Sequence, residues 1–261
     1  MNGKPMAIDN YLTYFPHLGS RLRNGRSVAD GYARGWGLQF GDLRAKVAAD
    51  PLYVEASKLS AGRSIVSEEN RMNLFLIIRF FLSRLPAGNI IEFGSYRGGT
   101  ALFMSFLAAR IRPDMMVYAL DTFAGMPATN PEVDAHGQGD FADVDLAEIE
   151  SVSREAGLTN LRLVKGLFED TAPDVLAEAG PIALAHIDCD IQSAVQYSYE
   201  VTKPSMVEGG YWVFDDATYS SCIGATEVIE SRLIRQDGLN SEQIFPQYVF
   251  RAFRGTSDDA R

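Results

Sequence analysis

From about residue 90 onward, the hydrophobic positions fall in short unbroken runs separated by stretches with helical spacing. NIIEFG (89–94), MMVYALD (115–121), LRLVKG (161–166), IALAHID (182–188) and YWVFDD (211–216) read as strands. The near-continuous apolar runs of IALAHID and GGYWVFDD, in place of strict alternation, read as buried parallel strands. Helical patterns lie between them near 99–111, 145–157, 170–179 and 193–204, with another near 222–235. Such alternation predicts βαβ units wound into an α/β fold with a mostly parallel sheet. Two last strand-like pieces, SEQIFP and QYVFRAF within 241–253, flank Pro246 and predict an antiparallel hairpin at a sheet edge.

Ahead of the first strand, a helix is expected from about Ser67 to Leu85, with Ser67 as its cap and Asn70 nearby. The most apolar segment of the chain, LFLIIRFFL at 74–82, belongs to it; it is too short to cross a bilayer and contains Arg79, so it reads as a buried helix face. Residues 1–64 show many Gly, Arg and aromatic positions but no periodicity that defines a core, and are expected to form an arm, a lid or an oligomer contact ahead of a domain at 65–261.

Composition narrows the function classes. A chain of 261 residues with 46% hydrophobic content has enough interior for one principal domain. Its 24 basic and 34 acidic residues leave a net charge of −10, which argues against nucleic acid or an anionic membrane as the partner. The two cysteines, Cys189 and Cys222, suit a reducing cytoplasm better than a disulfide framework.

Acidic residues gather where the strands end. HIDCD at 186–190 closes one strand, and Asp215-Asp216 closes the next. Open α/β sheets bind ligands beyond the carboxyl ends of their strands, so carboxylates converging there suggest a hard divalent cation. A glycine-rich junction, IIEFGSYRGGT, joins the first strand to its helix through Gly94, Gly98 and Gly99, where backbone can approach a ligand closely and a helix N-terminus offers free N–H groups. The spacing does not meet the dinucleotide fingerprint G-x-G-x-x-G. Glu92 lies inside a buried strand, where a carboxylate needs a partner such as a ligand ammonium group. Asp121 ends the second strand, a common place for an acid that accepts two ribose hydroxyls, although it could also cap the turn beside Thr122. Together these point to an adenosine-containing cofactor with an amino-acid tail.

The order EFGSYRGGT, DTFAGMP, HGQGDF, LVKGLFEDT, HIDCDIQSA, EGGYWVFDD and GATEVIE resembles the macrocin O-methyltransferase family, which also includes the novobiocin-pathway sugar methyltransferase. The resemblance covers roughly 65–253 and implies a Rossmann-like class I methyltransferase sheet ending in an antiparallel strand, S-adenosylmethionine as methyl donor and Mg²⁺ as helper. It implies cofactor contacts at Glu92, Gly94, Ser95, Gly99, Asp121 and Thr122, with Gly166 and Phe168 near the adenine, and often a homo-oligomer. Asp188, Asp215 and Asp216 would hold the metal, making Asp188 part of the catalytic set, and Asp190 is the candidate general base. His136, in HGQGDF, is a second candidate base or a lid contact; His186 is expected to be a satisfied core residue, and His17 carries no signal.

The chain departs from its apparent relatives at Ile191, where catechol-type enzymes carry a lysine, and at Gln192, Ala217 and Thr218. These changes leave the acceptor open: a glycosyl or phenolic hydroxyl of a natural product or glycan. A nicotinamide-dependent oxidoreductase and a catalytically silent cofactor-binding module are the competing readings.

Overall fold

In the computed structural model, residues 22–23, 26–27, 37–39 and 41–253 are described. Most of the expected N-terminal arm, His17 included, lies outside them. The central sheet has strands β1 (Asn89–Phe93), β2 (Val117–Asp121), β3 (Leu161–Lys165), β4 (Ile182–Ile187), β5 (Met206–Phe214) and β6 (Tyr248–Ala252). Their order is β3-β2-β1-β4-β5-β6. The first five pair in parallel and β6 runs antiparallel to β5. The chain order reverses between β1 and β4, the topological switch point where such sheets bind ligands.

The expected hairpin is corrected in one respect. SEQIFP does not form a strand; it contributes an isolated bridge, Gln243 to Val249, and only Tyr248–Ala252 joins the sheet. Gln243 instead turns its side chain inward to the Asn73 side chain and the Phe245 carbonyl, both at 2.8 Å. An edge strand can take its partner from β5 alone, so the segment before it is free to serve the interior.

Helices cover both faces. On one lie α1 (Leu43–Ala49), α2 (Pro51–Ser60), α3 (Glu68–Leu76) and α4 (Gly99–Ile111); α5 (Leu146–Glu155) closes its rim. On the other lie α6 (Phe168–Ala179), α7 (Gln192–Thr202) and α8 (Ile223–Val228), which continues as a π-helical stretch, Ile229–Gln236. Caps set several starts: Asp50 accepts from Leu52 N–H with Pro51 beginning the helix, Ser67 accepts from Asn70 N–H, and Asp145 accepts from Ala147 and Glu148 N–H. Each supplies an acceptor to an otherwise orphaned first-turn donor. From α3 the chain runs on through a π-helical turn, Ile77–Phe81, and a 3-10 turn, Leu82–Arg84, so the apolar run at 74–82 is buried at every position except Arg79.

Residues 43–60, unassigned by pattern, belong to the core. Leu43, Val47 and Ala56 have no exposed surface, and the Tyr53 ring meets Phe75 and Phe103 edge-on at 5.5 and 5.8 Å. Two helices of 7 and 10 residues are too short to display a clear periodicity on their own; packing of α2 against α4, and of α1 against α2 and α3, defines their buried faces.

Candidate functional site

A cavity of about 680 Å³ opens over the carboxyl ends of β1, β2, β4 and β5, within the range of small-molecule sites. Its walls bring together Gly94, Ser95, Asp121, Thr122, Phe168, Asp188, Asp190, Asp215 and Asp216. Three other residues expected at the cofactor do not line it. Glu92 has no exposed surface. Gly99 packs under the turn after α2, where a Cβ would lie 2.5 Å from Ser64 N. Gly166 leaves β3 with φ 153 and a Cβ there would meet Thr171, while the next two residues, Leu167 and Phe168, face the cavity.

The glycine junction is tied down by the acid at the end of β2. Ser95 and Tyr96 N–H both donate to Asp121 Oδ2 at 2.8 Å, and Phe123 N–H donates to Oδ1 at 2.7 Å. A carboxylate offers about four acceptor positions, so three are committed to backbone and about one remains. The capping reading of Asp121 therefore holds, and one acceptor position is left beside these three. Gly94 is required by close approach: its φ is +86 and a Cβ would sit 1.7 Å from the Asp188 carbonyl oxygen. Side-chain bulk here would force β1 and β4 apart where the acids converge.

Glu92 finds its partners inside the protein. Parallel register sets it beside His186, whose Nδ1 lies 3.1 Å from Glu92 Oε1, and the Ser95 hydroxyl donates to Glu92 Oε2 at 2.7 Å. Within the protein, the partners that Glu92 requires are thus an imidazole and a hydroxyl. His186 Nε2 makes no hydrogen bond but stands 3.5 Å from Asp215 Oδ1, a separation that is electrostatic contact and not a hydrogen bond. Burial alone would strip the charge from this ring; the carboxylates of Asp215 and Glu92 outweigh it and raise the pKa to about 9. His186 is accordingly a buried imidazolium joining the acid under the glycine junction to one in the cavity.

Asp188, Asp215 and Asp216 each offer an oxygen within 4.8 Å of the others. Burial, followed by the charges of Asp215, Asp216, Asp190 and Glu92, pushes Asp188 well above the usual carboxylate range. Asp216 is pushed up in the same way by burial and then by Asp190 and Asp215. These acids cannot all ionise unaided, so the donor set fits a cation, and all-oxygen donors fit Mg²⁺. Buried amides fix one of these acids in place: Asn70 donates to Asp215 Oδ1 at 3.0 Å, Gln247 donates to the same oxygen, and Asn73 donates to Gln247 Oε1 at 3.1 Å.

Asp190 occupies a γ-turn, with Ile191 N–H donating to Cys189 O at 2.6 Å and φ at +59. That region is strained for a non-glycine residue. Its own N–H donates to Asp216 Oδ2 at 2.7 Å. The turn aims the carboxylate into the cavity, where burial raises its pKa despite the lowering effect of His136. The loop between β2 and α5 supplies Met126, Pro127, His136 and Phe141 to the wall and is pinned by Asp134, which accepts from Gln192 N–H at 2.9 Å.

Sequence reasoning missed the Arg63–Val66 turn, Tyr219 and Cys222 as cavity residues, and Asp134 as the acid that pins the cavity loop. Ser64 reaches Thr100 across the cavity rim, hydroxyl to hydroxyl at 2.9 Å. Tyr219 stands three positions after Asp216 and fills wall space near the position where Ala217 departs from relatives; the departures Gln192, Ala217 and Thr218 do not line the cavity at all. Gln192 turns away to Glu227 at 2.8 Å.

The family model for macrocin O-methyltransferase matches residues 60–238. A relative from Streptomyces olivaceus, 8-demethyl-8-(2,3-dimethoxy-alpha-L-rhamnosyl)-tetracenomycin-C 4'-O-methyltransferase, is 26% identical over 194 residues, spanning 70% of this chain and 74% of its own length. Among solved structures, the fold is similar to that of the calicheamicin methyltransferase CalS11, with a TM-score of 0.62 at 22% identity over 81% of this chain and 97% of that one. The O-methyltransferase NovP gives a TM-score of 0.59 at 18% identity over 86% and 97%.

Proposed function

Because this chain belongs to the macrocin O-methyltransferase family of S-adenosylmethionine-dependent enzymes, we propose that it moves the methyl group of S-adenosylmethionine to one hydroxyl of a vicinal diol on a natural-product sugar, assisted by Mg²⁺. The observation that carries this reading is the meeting of Asp188, Asp215 and Asp216 beside Asp190 in one cavity with the glycine junction. The Streptomyces olivaceus relative, named for 4'-O-methylation of a rhamnosyl group, supports a glycosyl acceptor over a phenol. Family membership disfavours the nicotinamide reading.

In-line methyl transfer asks the protein to align the acceptor oxygen with the methyl group and to accept its proton. Ser95 N–H and Tyr96 N–H are committed to Asp121, so the cofactor's place is set by the shape of this junction, by Thr122 and by the remaining acceptor position of Asp121. Phe168, held edge-on to Phe93 with ring centroids 5.2 Å apart, offers an apolar face to the adenine. Asp188, Asp215 and Asp216 would hold Mg²⁺. When bound, the ion supplies Lewis acidity that makes a coordinated hydroxyl easier to deprotonate. Asp190 then receives the proton at its carboxylate; its raised pKa brings it closer to the range a base needs near neutrality.

Transfer of labelled methyl from S-adenosylmethionine to a panel of rhamnosides, catechols and isolated alcohols tests this directly. Activity on a rhamnoside that falls at least about 100-fold on chelation and in Asp215→Asn is the expected result. Transfer unchanged after thorough chelation would remove the metal, and activity confined to catechols would remove the sugar.

A further inference from the structure

A second set of donors lies at another corner of the cavity: His136 from the loop before α5, Asp190 from the strained turn after β4, and Cys222 at the start of α8. We propose that these three residues form a site for a thiophilic divalent cation, Zn²⁺ being the natural occupant, distinct from the all-oxygen set of Asp188, Asp215 and Asp216. It rests on the proposed methyl transfer only for its effect on turnover.

The geometry is close to what such an ion requires. Tetrahedral zinc, with bonds of about 2.0–2.2 Å to N and O and about 2.3 Å to S, sets neighbouring ligand atoms about 3.3–3.6 Å apart. His136 Nε2 lies 3.6 Å from Asp190 Oδ1, and Cys222 Sγ lies 3.3 Å from the same oxygen. The third edge, His136 to Cys222, is within 4.8 Å. Three protein ligands leave a fourth position open to water or to an acceptor hydroxyl.

Behind the imidazole stands the support that metal-bound histidines have. While Nε2 faces Asp190, Nδ1 faces Asp140 Oδ2 at 3.5 Å, an electrostatic contact rather than a hydrogen bond, with the carboxylate on the side where metal-bound imidazoles find theirs. The Phe141 ring lies against His136 with centroids 5.4 Å apart. Donor type then divides the two sites. Carboxylate oxygens alone suit Mg²⁺, whereas a thiol and an imidazole with one carboxylate select Zn²⁺ or Cd²⁺. Occupation would engage the carboxylate of Asp190 and so remove the proton acceptor from the reaction, making the site an inhibitory one that excess Mg²⁺ does not clear.

Cd²⁺ added alone to the 261-residue chain reads out the site without any turnover, through the ultraviolet charge-transfer absorption of a cadmium thiolate. One equivalent should develop this band in the wild type, in Cys189→Ser and in Asp215→Asn. The band should vanish in Cys222→Ser and need at least tenfold more Cd²⁺ in His136→Asn, whose surface loop tolerates the change. A band absent from the wild type, retained in Cys222→Ser, lost in Cys189→Ser, or indifferent to His136→Asn overturns the proposal. In parallel, micromolar Zn²⁺ in the presence of excess Mg²⁺ should slow methyl transfer by the wild type at least tenfold, with inhibition relieved in His136→Asn. A wild type that develops the band but methylates no sugar refutes the proposed function and leaves this site standing.

Discussion

Replacing His186 by Gln removes the imidazolium lodged between Glu92 and Asp215, and the consequence should be written in the pH dependence of stability. A group whose pKa rises on folding stabilises the fold fully below its unfolded value and loses that contribution as pH climbs through its folded value. For His186 the window runs from 6.5 to about 9. The ring has no exposed surface, so solvent screening does not dilute the effect, and at about 1.4 kcal/mol per pH unit it amounts to about 3 kcal/mol. Asp188 and Asp216, also raised, add a decline in the same direction, because the folded protein keeps protons that the unfolded chain has already released. His186 also lowers Asp216, so the variant's acids decline somewhat more steeply and the difference between the proteins is the histidine's share less that increment. Urea denaturation in the presence of chelator, at about pH 6 and about pH 9.5, should show the wild type losing more than His186→Gln, by up to about 3 kcal/mol. Equal losses would refute a charged His186. Saturating Mg²⁺ should oppose the alkaline decline in both proteins, by about 2.7 kcal/mol at 100 times its dissociation constant.

Three further outcomes follow from the packing. Gln247→Leu removes a donor from Asp215 and leaves the Asn73 amide without its acceptor; stability should fall by about 1–3 kcal/mol and the Mg²⁺ concentration for half-maximal transfer should rise about 10–100-fold, as read by urea melts and a metal titration of activity. Gly94→Ala sets a Cβ 1.7 Å from the Asp188 carbonyl at φ +86, so it should cost more than about 3 kcal/mol, seen as a shifted denaturation midpoint or loss of soluble protein; a shift under about 1 kcal/mol would contradict the close approach. Asp134→Ala frees the cavity loop from Gln192 N–H, and should raise the acceptor KM several-fold while leaving cofactor affinity within about twofold by calorimetry, since a loop contact costs about 1 kcal/mol.

Much of the sheet was legible because the parallel strands β1, β2, β4 and β5, buried on both faces, each write an apolar run, while the edge strand β3 is half-exposed. The acids at the ends of β4 and β5 were legible for a related reason: an apolar run that stops at a carboxylate marks a strand leaving the core. The all-helical face was less so. Residues 43–60 were left out of the core because short helices reveal their buried side only when neighbouring helices supply something to bury it against. Likewise SEQIFP has strand-like composition, but Gln243 is drawn inward by Asn73, a partner 170 positions away in sequence.

No helix among the described residues is long and apolar enough to cross a membrane, and both cysteines are free thiols. Neither fact required the site to be known.

Sequence by itself determined the family, the alternation of strands and helices, and the set of carboxylates Asp188, Asp190, Asp215 and Asp216 at one sheet edge. These rest on local patterns, hydrophobic period and turn chemistry, which act over a few residues. Tertiary structure alone decided how the charges are shared out. Register placed His186 against Glu92 across 94 positions, and packing brought Asn70 to Asp215 across 145. Such pairings depend on which strands become neighbours and which faces meet. No local pattern encodes them, and the cost of an unpaired buried charge makes them decisive.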